Sequence, residues 1–341
     1  MTNTEEANSC VVVGAGVSGL LAARELSATE GRVVVLDGGR DIGGRMATCR
    51  IENGTFDHGA QFFTVRSERF ETLVAGWLAA GAVEEWTRGF ADAEGRHNNE
   101  GYPRYPGSVG MNSVSKHLAR CLDVRTGERA LQVTGQDGAW ETRTASGRRE
   151  IGAALLPTAP VPQSLTLLRS ACVELPDEVG YKLESYKLEN ISYFPCLTLM
   201  ALLDAGRPAF PSPSGCRSRA NHWTGSGTTS TRVSLRCPAS PYMPARSGAA
   251  STSRPAKRRS PPPSSRSPGS GWAPTLPPRL SRPPSPGGAT AGSQQPHPKS
   301  RLVASEDPPL AFAGDAFGEA KIEGATLSGL AAADHLLGRK G

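Results

Sequence analysis

The chain has 341 residues, is 38% hydrophobic and 21% charged, and carries a formal net charge of +6. That length supports one large or two ordinary domains with a sizeable core. No run nears the ~20 apolar residues that cross a bilayer, and seven cysteines without a CxxC pair argue against a disulfide framework or a zinc cage. Residues 1–9 are polar and acidic rather than leader-like, so the expected address is cytoplasmic and the expected thiols are free.

The first element is a short β-branched run, Cys10 to Val13, of the kind buried in a parallel sheet. Gly14-Ala15-Gly16-Val17-Ser18-Gly19 comes next, then a helical stretch from Val17 to Ala28. A second apolar run, Val33 to Leu36, ends in Asp37. Each glycine of this GxGxxG has its own physical task. Gly14 allows a tight turn, Gly16 lets the backbone approach a pyrophosphate, and Gly19 lets helix and strand pack closely. The helix start offers unpaired N–H groups to phosphates, and Asp37 sits where a carboxylate can accept from ribose hydroxyls. Ala15 and Ser18 complete the predicted dinucleotide loop. The unit alone does not separate NAD from FAD.

The next motifs separate the two. Arg40-Asp41-Ile42-Gly43-Gly44-Arg45-Met46 resembles the GGR element of the amine-oxidase and renalase group of flavoproteins. Phe56-Asp57-His58-Gly59-Ala60-Gln61-Phe62-Phe63-Thr64 is similar to the segment beside the flavin ring in bacterial renalase-like oxidoreductases. The stretches Pro103-Arg104-Tyr105, Gly110-Met111-Asn112 and Lys116-His117-Leu118 resemble the approach to a helix of the FAD domain. Leu131-Gln132-Val133 resembles the strand whose Val133 backbone meets the adenine, and Leu155 to Gln163 the strand and turn closing the nucleotide half. Near the other end, Phe312-Ala313-Gly314-Asp315 and Ile322-Glu323-Gly324-Ala325 resemble the second FAD signature.

The resemblance implies an α/β fold: a glutathione-reductase-type FAD-binding domain built from both chain ends, with a second mixed-sheet substrate domain. Its implied FAD ligands are Gly14, Ala15, Gly16, Ser18, Gly19, Asp37, Gly44, Arg45, Met46, His58, Gly59, Ala60, Gln61, Phe62, Val133, Gly314, Asp315, Glu323, Gly324 and Ala325. Asp315 would bind the ribityl or pyrophosphate part. The helix starting near Gly324 would point its positive end at the flavin, stabilising negative charge there by ~0.5–2 kcal/mol. The implied activity is oxidation of dihydronicotinamide isomers of NAD(P)H by hydride transfer to flavin N5, with oxygen as acceptor. An amine oxidase is the alternative.

No acid–base or metal-ligating residue is assigned, because the chemistry is then the cofactor's. His58 reads either as a ring neighbour or as a hydrogen-bonded structural histidine. His117 reads as structural, and His97, His222, His297 and His335 lack metal spacing. Cys49 reads as a free thiol.

Residues 211–300 break the pattern. They hold 13 Lys+Arg, no Asp or Glu, 18 of the 28 prolines and 19 serines, while the rest carries 25 Lys+Arg against 32 Asp+Glu. Such a stretch lacks apolar periodicity and reads as disordered, a basic linker being the weaker reading. Out-of-frame translation of a GC-rich gene explains the composition. Plausible codons for Asn221 to Ser240, shifted by two nucleotides, spell PLDWIGDNIHKGVSPVPGVT. The same shift at Pro284 to Gln294 gives VSRWRYSRQ, and both strings resemble the family's substrate strands. A faulty copy would be a non-catalytic product, with helices such as Phe70 to Ala80 left apolar and exposed.

The divisions expected are 1–75, 106–165 and 301–341 for the FAD domain, 76–105 for substrate-domain helices, 166–210 for a substrate-domain remnant, and 211–300 for the irregular segment. The expected partners are a small-molecule substrate and oxygen, with neither membrane nor nucleic acid.

Overall fold

The computed structural model describes residues 9–29, 31–52, 54–89, 101–170, 187–202, 216–217, 222–224, 232–238 and 290–339. In chain order the elements begin β1 (Cys10–Val13), α1 (Val17–Ser27), β2 (Val33–Asp37), β3 (Thr48–Ile51), β4 (Gly54–Asp57), α2 (Glu68–Ala79), α3 (Asn112–Leu118) and β5 (Asp123–Thr126). Next come β6 (Ala130–Gln136), β7 (Ala139–Thr144), β8 (Arg149–Gly152), β9 (Ala154–Pro157), α4 (Val161–Arg169) and β10 (Tyr193–Leu202). The chain then gives β11 (Cys216–Arg217), β12 (His222–Thr224), β13 (Arg232–Pro238), β14 (Thr290–Ser293), β15 (Leu302–Glu306), β16 (Pro309–Phe312) and α5 (Ile322–Leu336).

The central sheet has the order β15-β16-β9-β1-β2-β5, parallel except for the β15–β16 edge pair. Its middle strands are apolar throughout because both faces are covered. Side chains alternate between two cores. Val12, Val35 and Leu156 join the core that holds α1, α2, α3 and α5. Val11, Val34, Leu36 and Leu155 join the one that holds α4 and the three-stranded sheet β6-β7-β8. In this second core Trp140 is fully buried, and its Nε1 donates to the Pro309 carbonyl at 2.9 Å, so the large ring is buried without an orphaned donor. Elements from both ends of the chain meet here, in keeping with one domain assembled from both.

Helix α2 corrects one expectation. Phe70, Val74 and Trp77, spaced along one face, are at most 3% exposed rather than left bare. The reason lies within the first core: Phe63 meets Phe70 at 5.5 Å and Trp77 at 5.9 Å between ring centroids.

A second sheet has the order β11-β12-β13-β10-β14. Its described pairings are all antiparallel. The linkers between β11 and β12 and between β12 and β13 are too short for a parallel crossover. Four of its strands fall within 211–300, the segment whose sequence lacks periodicity. The remainder of that segment up to 289, and His97, lie outside the described residues.

Candidate functional site

The three glycines of the first turn sit in three different surroundings. Gly14 has φ +114°, which favours glycine, and its N–H donates to the Leu36 carbonyl at 2.8 Å. A Cβ on Gly19 would lie 2.1 Å from the Gly14 carbonyl oxygen, so only glycine lets α1 sit this close to the turn. Around Gly16, at the start of α1, a Cβ would meet nothing within 4 Å. Packing leaves that one position open.

Thr158, not singled out from sequence, fastens this turn. Its hydroxyl lies 3.1 Å from both the Val13 and Gly14 carbonyl oxygens, and its oxygen crowds the Cβ positions of Gly14 and Gly19. Asp37 ends β2 half-buried. Its Oδ2 accepts from the Ala15 N–H and its Oδ1 from the Gly39 N–H, both at 2.6 Å. The acid therefore braces the loop, with carboxylate lone pairs left for a ligand.

The GGR element lies against this loop. The Gly43 N–H donates to the Ala15 carbonyl at 2.9 Å, and a Cβ on Gly44 would be 3.6 Å from the Gly16 Cα. Met46 is buried, whereas the Arg45 side chain is one-third exposed and ion-paired with Asp315. The Arg45 guanidinium also lies 5.4 Å from the Tyr193 ring centre. Tyr193, which the sequence did not single out, accepts at its hydroxyl from the Val161 N–H at 3.1 Å. Burial first, and then the Asp315 charge, push the phenol up to about 12. No local signal marks Tyr193 in the sequence, because its role comes from β10 crossing the cradle.

The His58–Phe62 segment runs beside Arg45. The Ala60 N–H donates to the Arg45 carbonyl at 2.8 Å, and a Cβ on Gly59 would fall 1.9 Å from that oxygen. The Thr198 hydroxyl of β10 donates to the His58 carbonyl at 2.9 Å. Gln61 is half-buried, with a fully buried Nε2 that has no hydrogen-bond partner. The Phe62 ring lies 6.2 Å from Trp86, with the Arg104 guanidinium 5.8 Å from its centre.

From the other end of the chain, Gly314 (φ +136°) donates its N–H to the Ser328 hydroxyl of α5 at 2.9 Å. Asp315 is 6% exposed, and its Oδ1 is buried without a hydrogen-bond partner. Helix α5 packs on α1 so closely that a Cβ on Gly329 would be 2.3 Å from the Ser18 carbonyl oxygen. Gly324 is likewise fixed, its Cβ position lying 2.0 Å from the Glu319 carbonyl oxygen, and Ala325 is buried.

Two sequence-assigned residues have their side chains buried within the protein. Glu323 was given to the cofactor, but its carboxylate accepts from Arg66 N–H (3.0 Å), Ser67 N–H (2.7 Å) and Ser67 hydroxyl (2.6 Å). Ser18 is buried in the α1–α5 contact, its hydroxyl unpartnered. Val133 is fully buried in β6, an edge strand of its sheet. Burial first, and then the Arg24 and Arg120 charges, lower the affinity of His117 for a proton. Among the described residues, no three His, Cys, Asp or Glu side chains are grouped to hold a metal, and no helix is long and apolar enough to cross a membrane.

The residues present fit a dinucleotide. An open Cβ position at Gly16, a helix start beside it, and a buried acceptor at Asp315 Oδ1 lacking its donor are features that a diphosphate-linked polyol would complete.

Comparison with known proteins agrees. Residues 12–77 match the family described as NAD(P)-binding Rossmann-like domain. The chain is 28% identical to renalase of Mus musculus over 223 residues, 62% of this chain and 63% of that protein. Over that span the chain is similar to renalase. The match spans less than two thirds of the length of mouse renalase. An L-amino acid dehydrogenase of Synechocystis sp. is 38% identical over 66 residues, 19% of this chain and 14% of that one. Wild-type putrescine oxidase bound to putrescine gives a TM-score of 0.51 at 12% identity over 67% of this chain and 75% of that chain, a likeness of fold.

Proposed function

We propose that the chain binds FAD in this cradle and oxidises dihydronicotinamide isomers of NAD(P)H, with oxygen as the final acceptor. The carrying observation is the Gly16–Arg45–Asp315 cradle: an open glycine at a helix start, the GGR element against it, and a buried Asp315 oxygen without a partner on the carboxylate that Arg45 holds. When bound, FAD supplies the hydride acceptor and passes the electrons to oxygen, giving hydrogen peroxide.

The chain's own residues bind and orient. The turn from Gly14 to Gly19 presents backbone N–H groups and the α1 dipole to a diphosphate. Asp37 holds Ala15 and Gly39, so the loop is formed before a ligand arrives. Arg45 ties the GGR element to Asp315 and keeps that carboxylate from standing as an isolated buried charge. Phe62, with Trp86 against it, offers an apolar wall on which a flat nicotinamide ring can stack.

The burial of one aromatic favours the dihydronicotinamide reading over the amine one. Phe63, the second aromatic available to an amine cage from sequence, is instead buried in the first core.

The test begins with FAD titration of the purified full chain. Yellow protein with stoichiometric flavin supports the cofactor reading, and colourless protein overturns it in favour of a non-catalytic product. Anaerobic stopped-flow mixing then separates the substrates. Rapid bleaching by dihydronicotinamide isomers and not by monoamines is the expected result; the reverse assigns an amine oxidase.

A further inference from the structure

Glu323 lies in the first turn of α5, where the proposed cofactor approaches, yet its 4%-exposed carboxylate is taken up by a different helix. Both oxygens are used: one accepts from the Arg66 N–H, the other from the Ser67 N–H and hydroxyl. Ser67 is the residue that starts α2, and it makes no side-chain cap of its own. A helix start leaves its first N–H groups unsatisfied. Here the missing acceptor comes from 256 residues further along the chain.

The link continues inward. Helix α2 packs Phe70 and Trp77 on Phe63, and Phe63 exchanges backbone hydrogen bonds with Tyr105. Its neighbour Phe62 bears the apolar wall shared with Trp86. At the other end, the turn carrying Glu323 has little room to shift, because Gly324 rests against the Glu319 carbonyl and Glu319 is ion-paired with Lys321. One buried carboxylate thus joins the first turn of α5 to the start of α2, whose Phe70 and Trp77 pack on Phe63.

We infer that Glu323 is a positioning residue that couples occupation of the cradle to the order of α2, a role that rests on the proposed FAD binding. Binding that steadies the α5 turn steadies the start of α2, and by reciprocity a loosened α2 weakens binding at the turn. The charge is required along with the shape. A glutamine in place of Glu323 would face the Arg66 or Ser67 N–H with its own NH2 and leave a donor unmatched.

Amide hydrogen exchange on the full chain, with and without FAD, tests this alongside flavin titration. In the wild type, FAD is expected to slow exchange across 66–79. In Glu323→Gln, exchange at Arg66 and Ser67 accelerates about tenfold or more without FAD, and FAD binds about tenfold more weakly. FAD then no longer protects α2. Ser67→Ala, which removes only the hydroxyl contact, gives a smaller change in the same direction.

FAD binding that leaves α2 exchange unchanged in the wild type overturns the coupling even if the Glu323→Gln variant fails to fold. Faster exchange in the variant with unaltered FAD affinity also overturns it and reduces Glu323 to a long-range helix cap. A wild type that binds no FAD overturns the functional reading and the coupling with it, so the two failures are distinguishable.

Discussion

Arg45 and Asp315 stand 270 residues apart in the chain and form an ion pair in which the carboxylate is nearly buried and the guanidinium one-third exposed. One Asp315 oxygen is thereby neutralised while the other has no partner. Such a half-satisfied buried carboxylate is costly unless a ligand donor completes it. Asp315→Asn is expected to weaken FAD binding by roughly 10- to 100-fold, the worth of a hydrogen bond to a charged group. Arg45→Leu is expected to destabilise the apoprotein as well, because it strands the charge. Isothermal titration with FAD and thermal unfolding of each variant, with the double variant closing the cycle, read the coupling.

The three glycines should separate by what they disturb. Gly16→Ala leaves apoprotein stability within about 0.5 kcal/mol, since its Cβ meets nothing and its backbone is ordinary, but it lowers FAD affinity by filling the diphosphate approach. Gly19→Ala costs about 1–3 kcal/mol of stability by overpacking against the Gly14 carbonyl. Denaturant unfolding paired with flavin titration checks both halves.

Tyr193 makes an alkaline prediction. Its folded phenol, pushed up to about 12, holds its proton more tightly than the unfolded one near 10. The associated stability is fully present below pH ~10 and is lost as pH rises through about 12, because the unfolded state releases its proton first. Tyr193→Phe should flatten the stability profile across that window. Urea unfolding at a series of alkaline pH values measures it.

Thiol reactivity should follow burial. Cys10, in β1, is buried and its thiol is pushed up to about 12 by desolvation, so it stays unmodified in the native protein near neutral pH. Cys121 is exposed and should react readily. Alkylation with mass mapping before and after denaturation distinguishes them.

The coding DNA across codons of residues 205–305 carries a prediction of its own. Thirteen cations and no carboxylate in 211–300 point to compensating frame changes near both borders, and resequencing in an independent isolate is expected to restore acidic, aromatic strands. An intact frame there would make the Pro/Ser/Arg composition native.

The sequence by itself determined the β1–α1–β2 unit. Those tasks are local: a tight turn at Gly14, an open backbone at Gly16, an acid 18 positions after Gly19. Residue type and short spacing are enough to read such chemistry. Motifs at both ends likewise placed Arg45 and Asp315 in one domain. Only the tertiary structure decided their pairing, the fastening of the turn by Thr158, the place of Tyr193 beside Arg45, and the commitment of the Glu323 carboxylate to the start of α2. The reason is the same in each case. These contacts join segments from dozens to hundreds of residues apart, and a carboxylate or a phenol carries no mark in sequence of which distant donor it will meet.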